Sequence, residues 1–199
     1  VYFFKLLYPF ALANDPRHPR IAAAAGGFVL LEKRALESIG GFAALRGALI
    51  DDCTLAARLK AQGHRVWVGL THAVRSHRAY DTLGPIWHMV ARTAFTQLRH
   101  SWLLLAALTL VFAAMFWLPV AVLLAWPGAL AVSLAVVALI AMMIGYVPTL
   151  LFYQVSPAWV LAMPVIGTLY LAMTWWSALR HAIGLGAAWK DRRYPRPRR

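Results

Sequence analysis

The sequence predicts an α/β half followed by an α-helical transmembrane region, and three observations carry that expectation. Over residues 1–100, short apolar and β-branched runs alternate with short helical runs, each bounded by Gly or Pro. From Ser101 to Leu179 there is no Asp, Glu, Lys, Arg or His. A run of that length accommodates several membrane helices at about 20 residues each. The charge is strongly one-sided: 20 Lys and Arg against 7 Asp and Glu, a formal +13, in a chain that is 61% hydrophobic with a mean hydropathy of +0.62. The basic excess lies on the flanks of the uncharged run and points to anionic partners such as lipid headgroups or phosphates. The expected division is residues 1–100, a membrane region at 101–182 with two or three spans, and a basic tail at 183–199.

Residues 1–13 are apolar and aromatic but too short to span a bilayer, which suits a segment lying in the headgroup plane or a buried core helix. Residues 14–20 form a Pro-punctuated polar loop. Residues 21–31 read as a strand whose small-residue entry, with Gly26 and Gly27, lets a backbone or ligand approach closely. Residues 32–39 read as a short helix stopped by Gly40 and Gly41, and a second helix runs from Asp52 to about Gln62, where Gly63 ends it. Residues 65–70 read as a strand and residues 73–76 as a second, shorter one. His77 and Arg78 follow it, either facing a ligand or solvated on a loop.

Residues 83–102 repeat apolar side chains at helical intervals, with His88, Arg92, Thr96 and Arg99 on the other side. Such a helix fits a membrane surface, or packs on the preceding domain. Three hydrophobic segments follow: 103–126 with Pro119, 129–153 with Gly145 and Pro148, and 158–179 with Pro164 and Gly167. From Arg180 to Arg199 there are seven Lys or Arg and one acid, Asp191. Three full spans would put the two basic flanks on opposite sides, against the tendency of both to face the cytoplasm. Either one Pro-containing segment is re-entrant or in-plane, or the tail lies outside despite its charge; Pro119, Pro148 and Pro164 favour the first by giving each segment a place to bend. The chain opens without Met and without a charged signal-peptide start, so the expectation is the C-terminal part of a longer protein. A single cysteine, Cys53, excludes an internal disulfide and a multi-cysteine metal site.

Asp51 and Asp52 stand out in a chain so poor in acids. They open a helical run in which Leu55 and Leu59 share a face. Asp51 suits a cap and Asp52 the first turn, where backbone N–H dipoles favour an anion. A carboxylate there serves either as part of a simple capping pair or as a general base toward a hydroxyl brought to it.

Taken in order, Ala25-Gly26-Gly27-Phe28, Glu32-Lys33-Arg34-Ala35-Leu36, Ile39-Gly40-Gly41-Phe42, Ile50-Asp51-Asp52, Leu55-Ala56-Ala57-Arg58-Leu59 and Gly63 resemble the acceptor-side half of family 2 membrane glycosyltransferases of the GT-A fold. Tyr8-Pro9-Phe10, Asn14-Asp15-Pro16 and Leu49-Ile50-Asp51-Asp52-Cys53 look like the hopanoid-associated subgroup. The resemblance covers about residues 1–101, with looser support from Trp189-Lys190 and Arg192-Arg193-Tyr194. It implies a nucleotide-sugar donor, a lipid acceptor and an inverting transfer in which Asp52 takes the acceptor proton and Asp51 orients or caps. Gly26 and Gly27 would leave room for substrate. It further implies a bacterial inner-membrane protein, multi-pass, with its catalytic face cytoplasmic.

Two departures matter. The family's Gln-x-x-Arg-Trp motif is not present at its spacing, although Arg92, Gln97 and Arg99, followed by Trp102, supply the same residue types for the donor pyrophosphate. The family's Asp-x-Asp motif for a divalent metal (Mg or Mn) and nucleotide is expected upstream, so no metal site is assigned to this chain. A transporter or channel subunit is the competing class. The absence of ionisable residues in the uncharged run speaks against it. A nucleic-acid binder would account for the charge, but no recognition module is present.

Overall fold

The computed structural model describes residues 1–74, 80–185, 188–189 and 192–193, arranged in two compact units, Val1–Asp81 and Thr82–Arg199. The first contains α1 (Tyr2–Leu7), α2 (Phe10–Asn14), α3 (Lys33–Ser38), a 3-10 turn (Phe42–Leu45) and α4 (Asp51–Ala61). The second contains α5 (Leu83–Gln97), α6 (Trp102–Phe112), a π-helical segment (Ala113–Trp117), α7 (Leu118–Ala125), α8 (Ala129–Phe152), a 3-10 segment (Pro157–Ala162) and α9 (Met163–Ala182). A two-residue antiparallel pairing of β1 (Ala188–Trp189) with β2 (Arg192–Arg193) is the only backbone ladder among the described residues.

The α/β expectation is therefore corrected: the architecture is all-α. Residues 21–31 and 65–70 run as irregular backbone, as do Ala73 and Val74. Residues 75–79, including His77 and Arg78, lie outside the described residues, as do Lys190, Asp191 and Tyr194. The physical reason lies in where these segments find their hydrogen bonds. The Asn14 side chain pairs with Val68 much as a neighbouring strand would: its Oδ1 accepts from the Val68 N–H at 2.7 Å and its Nδ2 donates to the Val68 carbonyl at 3.0 Å. Lys60, only 6% exposed, donates from Nζ to the carbonyls of Ile21 (2.7 Å), Ala13 (2.8 Å) and Leu12 (3.3 Å). Side chains thus do for these runs what a strand ladder would do. Burial lowers the Lys60 pKa, and the nearby Asp15 charge opposes that shift.

Two apolar clusters anchor this unit. Ala35, Leu55 and Leu59 bring α3 against α4, with Leu36, Ile39 and Val66 around them. Ala13, Ala23 and Val68 pack with Phe4, Tyr8 and Phe10. Both α3 and α4 close on glycine-containing turns. Gly41 N–H donates to the Leu36 carbonyl at 2.9 Å, and His64 N–H to that of Leu59 at 3.0 Å.

In the second unit, α5 buries Val90, Ala91 and Phe95, and it packs against α9. Phe95 sits among Leu98, Leu105 and Ala178, and its N–H donates to Ser177 Oγ at 3.1 Å. The partner of this amphipathic face is thus another helix of its own unit. The three segments Trp102–Ala125, Ala129–Phe152 and Pro157–Ala182 are each long and apolar enough to cross a bilayer. The chain is a membrane protein. None of the prolines interrupts a segment: Pro119 and Pro164 stand in first turns, and Pro148 lies within α8.

The end of α5 turns sharply, with Arg99 and His100 at φ 51° and 56°. The His100 ring stacks on His181, centroids 4.3 Å apart. Burial, and then the neighbouring His181, hold His100 below the ordinary imidazole range. The unfolded chain therefore binds more protons than the folded one below about pH 6.5. Stability contributed by this ring is present above that pH and is lost as pH falls. Thermal unfolding in detergent should accordingly begin at lower temperature at pH 5.5 than at pH 7.5, and His100→Gln should narrow that difference. An unchanged difference in the variant would place the sensitivity elsewhere.

Candidate active site

Asp51 and Asp52 occupy the first turn of α4, where unpaired backbone N–H groups and the helix dipole favour negative charge. Asp52 is half-buried and Asp51 exposed. Each Asp52 oxygen has its own backbone donor. Oδ2 accepts from the Gly26 N–H at 2.8 Å, across 26 residues of chain, and Oδ1 from the Cys53 N–H at 2.7 Å. Asp51 Oδ1 accepts the Asp52 N–H at 3.1 Å, which ties the two acids together. The carboxylate is thereby oriented, with part of its surface open to a reactant.

Gly26 lets the carboxylate approach this closely. A Cβ there would stand 3.1 Å from Asp52 Oδ2 and 3.6 Å from its Cγ, whereas a Cβ at Gly27 would meet nothing within 4 Å. One residue further along α4, the Cys53 thiol donates to the Ala24 carbonyl at 3.7 Å. Two bonds therefore join the Ala24–Gly26 backbone to the start of α4. Burial pushes the Cys53 thiol up from its ordinary range, and the adjacent Asp52 charge adds to that.

Of the sequence-predicted residues, the structure brings together Gly26, Asp51 and Asp52, with Gly27 exposed beside them. Arg92, Gln97 and Arg99 belong to the second unit. Arg92 and Gln97 are half-buried on α5, and Arg99 is exposed in the turn at its end. Cys53 and Ala24 were missed by sequence reasoning. Their only signal was adjacency to the acid pair and to the glycines. Among the described residues no three His, Cys, Asp or Glu side chains converge as a metal site would require.

The order of glycines, helix and acid pair recurs in a known family. The chain matches the model of glycosyl transferase family 21 over residues 7–194, nearly its whole length. It belongs to glycosyl transferase family 21. No curated protein and no solved structure matches it. Membership in family 21, a GT-A-like relative of family 2, makes the glycosyltransferase assignment firm; it does not extend to the hopanoid-associated subgroup. A family 21 chain with three apolar segments of spanning length fits a transferase that works at a membrane with a nucleotide-sugar donor.

Proposed function

We propose that this chain transfers a sugar from a nucleotide-sugar donor to the hydroxyl of a membrane lipid, a hopanoid being the acceptor class its sequence resemblance favours, with Asp52 as general base. The acceptor oxygen attacks the anomeric carbon as its proton passes to a free lone pair of the Asp52 carboxylate. The bond from that carbon to the diphosphate breaks, and the nucleoside diphosphate leaves with the electron pair. Attack opposite the leaving group inverts the anomeric centre. Asp51 holds the first turn of α4, and Gly26 fixes the carboxylate plane. Arg92, Gln97 and Arg99 are the proposed partners of the donor diphosphate, Arg being suited to paired bonds with phosphate oxygens. The setting is a bacterial inner membrane with the transfer on its cytoplasmic face. A divalent metal would aid departure of the diphosphate. Asp51 and Asp52 alone do not make its site.

The observation that carries this reading is the half-buried, doubly oriented carboxylate of Asp52 in a family 21 chain. It is tested by incubating membranes containing the full-length protein with radiolabelled uridine and guanosine diphosphate sugars. Label should enter the lipid extract and depend on the protein; transfer only to water-soluble acceptors would overturn the lipid assignment.

Gly26→Ala provides a sharper test of geometry. The added methyl displaces the carboxylate by a few tenths of an ångström and weakens the 2.8 Å bond. The expected loss of transfer is about tenfold, since a full ångström of misplacement costs about 10²-fold. On an Asp52→Asn background the same substitution should add nothing, because both changes act through one carboxylate. Additive losses would show that Gly26 acts otherwise.

A further inference from the structure

The second unit fixes a membrane topology that segment length alone does not. The helix running from Trp102 to Ala125 and α9 pair antiparallel along their lengths. His100 stacks on His181. Trp175 Nε1 donates to Thr109 Oγ1 at 3.1 Å, and Trp117 Nε1 to Thr168 Oγ1 at 2.8 Å. Phe116, 1% exposed, fills the space a side chain at Gly167 would need: a Cβ there would lie 2.6 Å from its ring. Residue numbers rise on one helix as they fall on the other. The start of the first segment and the end of the third therefore share one depth, which we call the near boundary.

Two short connections then decide where α8 lies. Its first residue comes four positions after Ala125, at the far end of the hairpin. Its exit turn, residues 153–156, precedes the 3-10 segment and Met163. Met163 stands 18 residues before His181, about 27 Å along α9. From Met163 back to Ser156, a six-residue 3-10 segment and one further link reach about 16 Å at most. The exit turn thus falls about 11 Å short of the near boundary even when fully directed toward it. The N–H groups of residues 153–155 bond to carbonyls of α8 and Ser156 Oγ accepts from Ala158 N–H, but at mid-depth the exposed, polar Gln154 amide would still face hydrocarbon, which is costly. The far boundary, where residues 126–128 already emerge, satisfies both limits.

We infer that α8 does not cross the bilayer: it leaves and returns at the far boundary and lies within that leaflet. Its surroundings are then acyl chains, consistent with a 24-residue helix free of charge and with few buried residues. It packs against α7 and the 3-10 segment, both at the far end of the hairpin. Charge supports the same arrangement independently. Arg92, Arg99 and Arg180 all belong to the near boundary, while residues 126–128 and 153–156 carry no charge. The expected conflict between three spans and two basic flanks disappears, because only two segments cross.

The test uses the full-length chain with Cys53→Ala, which leaves no cysteine, and single substitutions Pro127→Cys, Val155→Cys and Leu185→Cys. A membrane-impermeant maleimide is added to sealed vesicles of one orientation, with and without permeabilisation. Pro127→Cys and Val155→Cys should label from the same side, and Leu185→Cys from the other. Val155→Cys labelling together with Leu185→Cys, opposite to Pro127→Cys, would overturn the inference. If a cysteine variant fails to insert, a protease site placed in the same turn reports the same sidedness by cleavage.

Discussion

Asp52→Asn is expected to lower sugar transfer about 10²–10⁴-fold, the range associated with loss of a general base, while the protein remains inserted and folded. The amide preserves the shape of the side chain. Its oxygen still accepts from the Gly26 or Cys53 N–H, so the start of α4 keeps one of the two bonds that hold this side chain. What disappears is a site that can receive a proton. Asp52→Glu separates position from chemistry. It retains the carboxylate but carries it one methylene away from both backbone donors, and its activity should fall between those of the other two proteins. The measurement is transfer of labelled sugar into lipid at matched protein level. Activity of Asp52→Asn within a few-fold of the unaltered protein would assign Asp52 to capping alone and move the base elsewhere.

Lys60→Met should have the largest effect on stability. The ammonium serves three carbonyls, from Leu12, Ala13 and Ile21, inside a site only 6% exposed. Methionine fits the stem's volume but leaves those carbonyls without their donor. A stranded buried acceptor costs about 1–3 kcal/mol, and the combined loss expected is about 3 kcal/mol. Its first sign should be opening of the 12–21 segment. Trypsin cleavage after Arg20 should then accelerate by about 10², since each 1.4 kcal/mol is tenfold. Unchanged cleavage and an unchanged melting temperature would show that water already serves those carbonyls.

Much of the helical content was legible because it rests on local rules. The uncharged run from Ser101 to Leu179 resolves into segments of spanning length. Gly40-Gly41 and Gly63 end their helices with the bonds such turns make. The acid pair opens α4, but Ile50 and not Asp51 takes the cap position, so both acids lie in the first turn. The strands were misread because an apolar, β-branched run reports burial, and burial does not reveal what will satisfy its backbone. Here the satisfying groups are Asn14 and Lys60, 54 and 39 residues away from Val68 and Ile21. Lys60 stands four residues after Ala56 on the face that α4 buries, which was a visible signal, but a lysine at such a position more often marks the edge of a face. The site was partly legible. Motif order placed Gly26 and Asp52 in one reading, but the bond between them and the neighbouring Cys53–Ala24 link depend on how residues 24–26 meet the helix end. Likewise, the amphipathic stripe of α5 announced a partner without saying that it would be α9.

The π-helical segment at Ala113–Trp117 has a consequence for how this protein can vary. Its hydrogen bonds skip one residue more than those of the α-helices on either side. A helix absorbs a single inserted residue in this way without rotating the turns beyond it. Shortening that segment by one residue would leave Thr109 still facing Trp175 and return the remainder to ordinary winding. Length drift at this point is therefore tolerable. The same deletion one turn earlier would swing every later side chain of the segment away from its partner on α9.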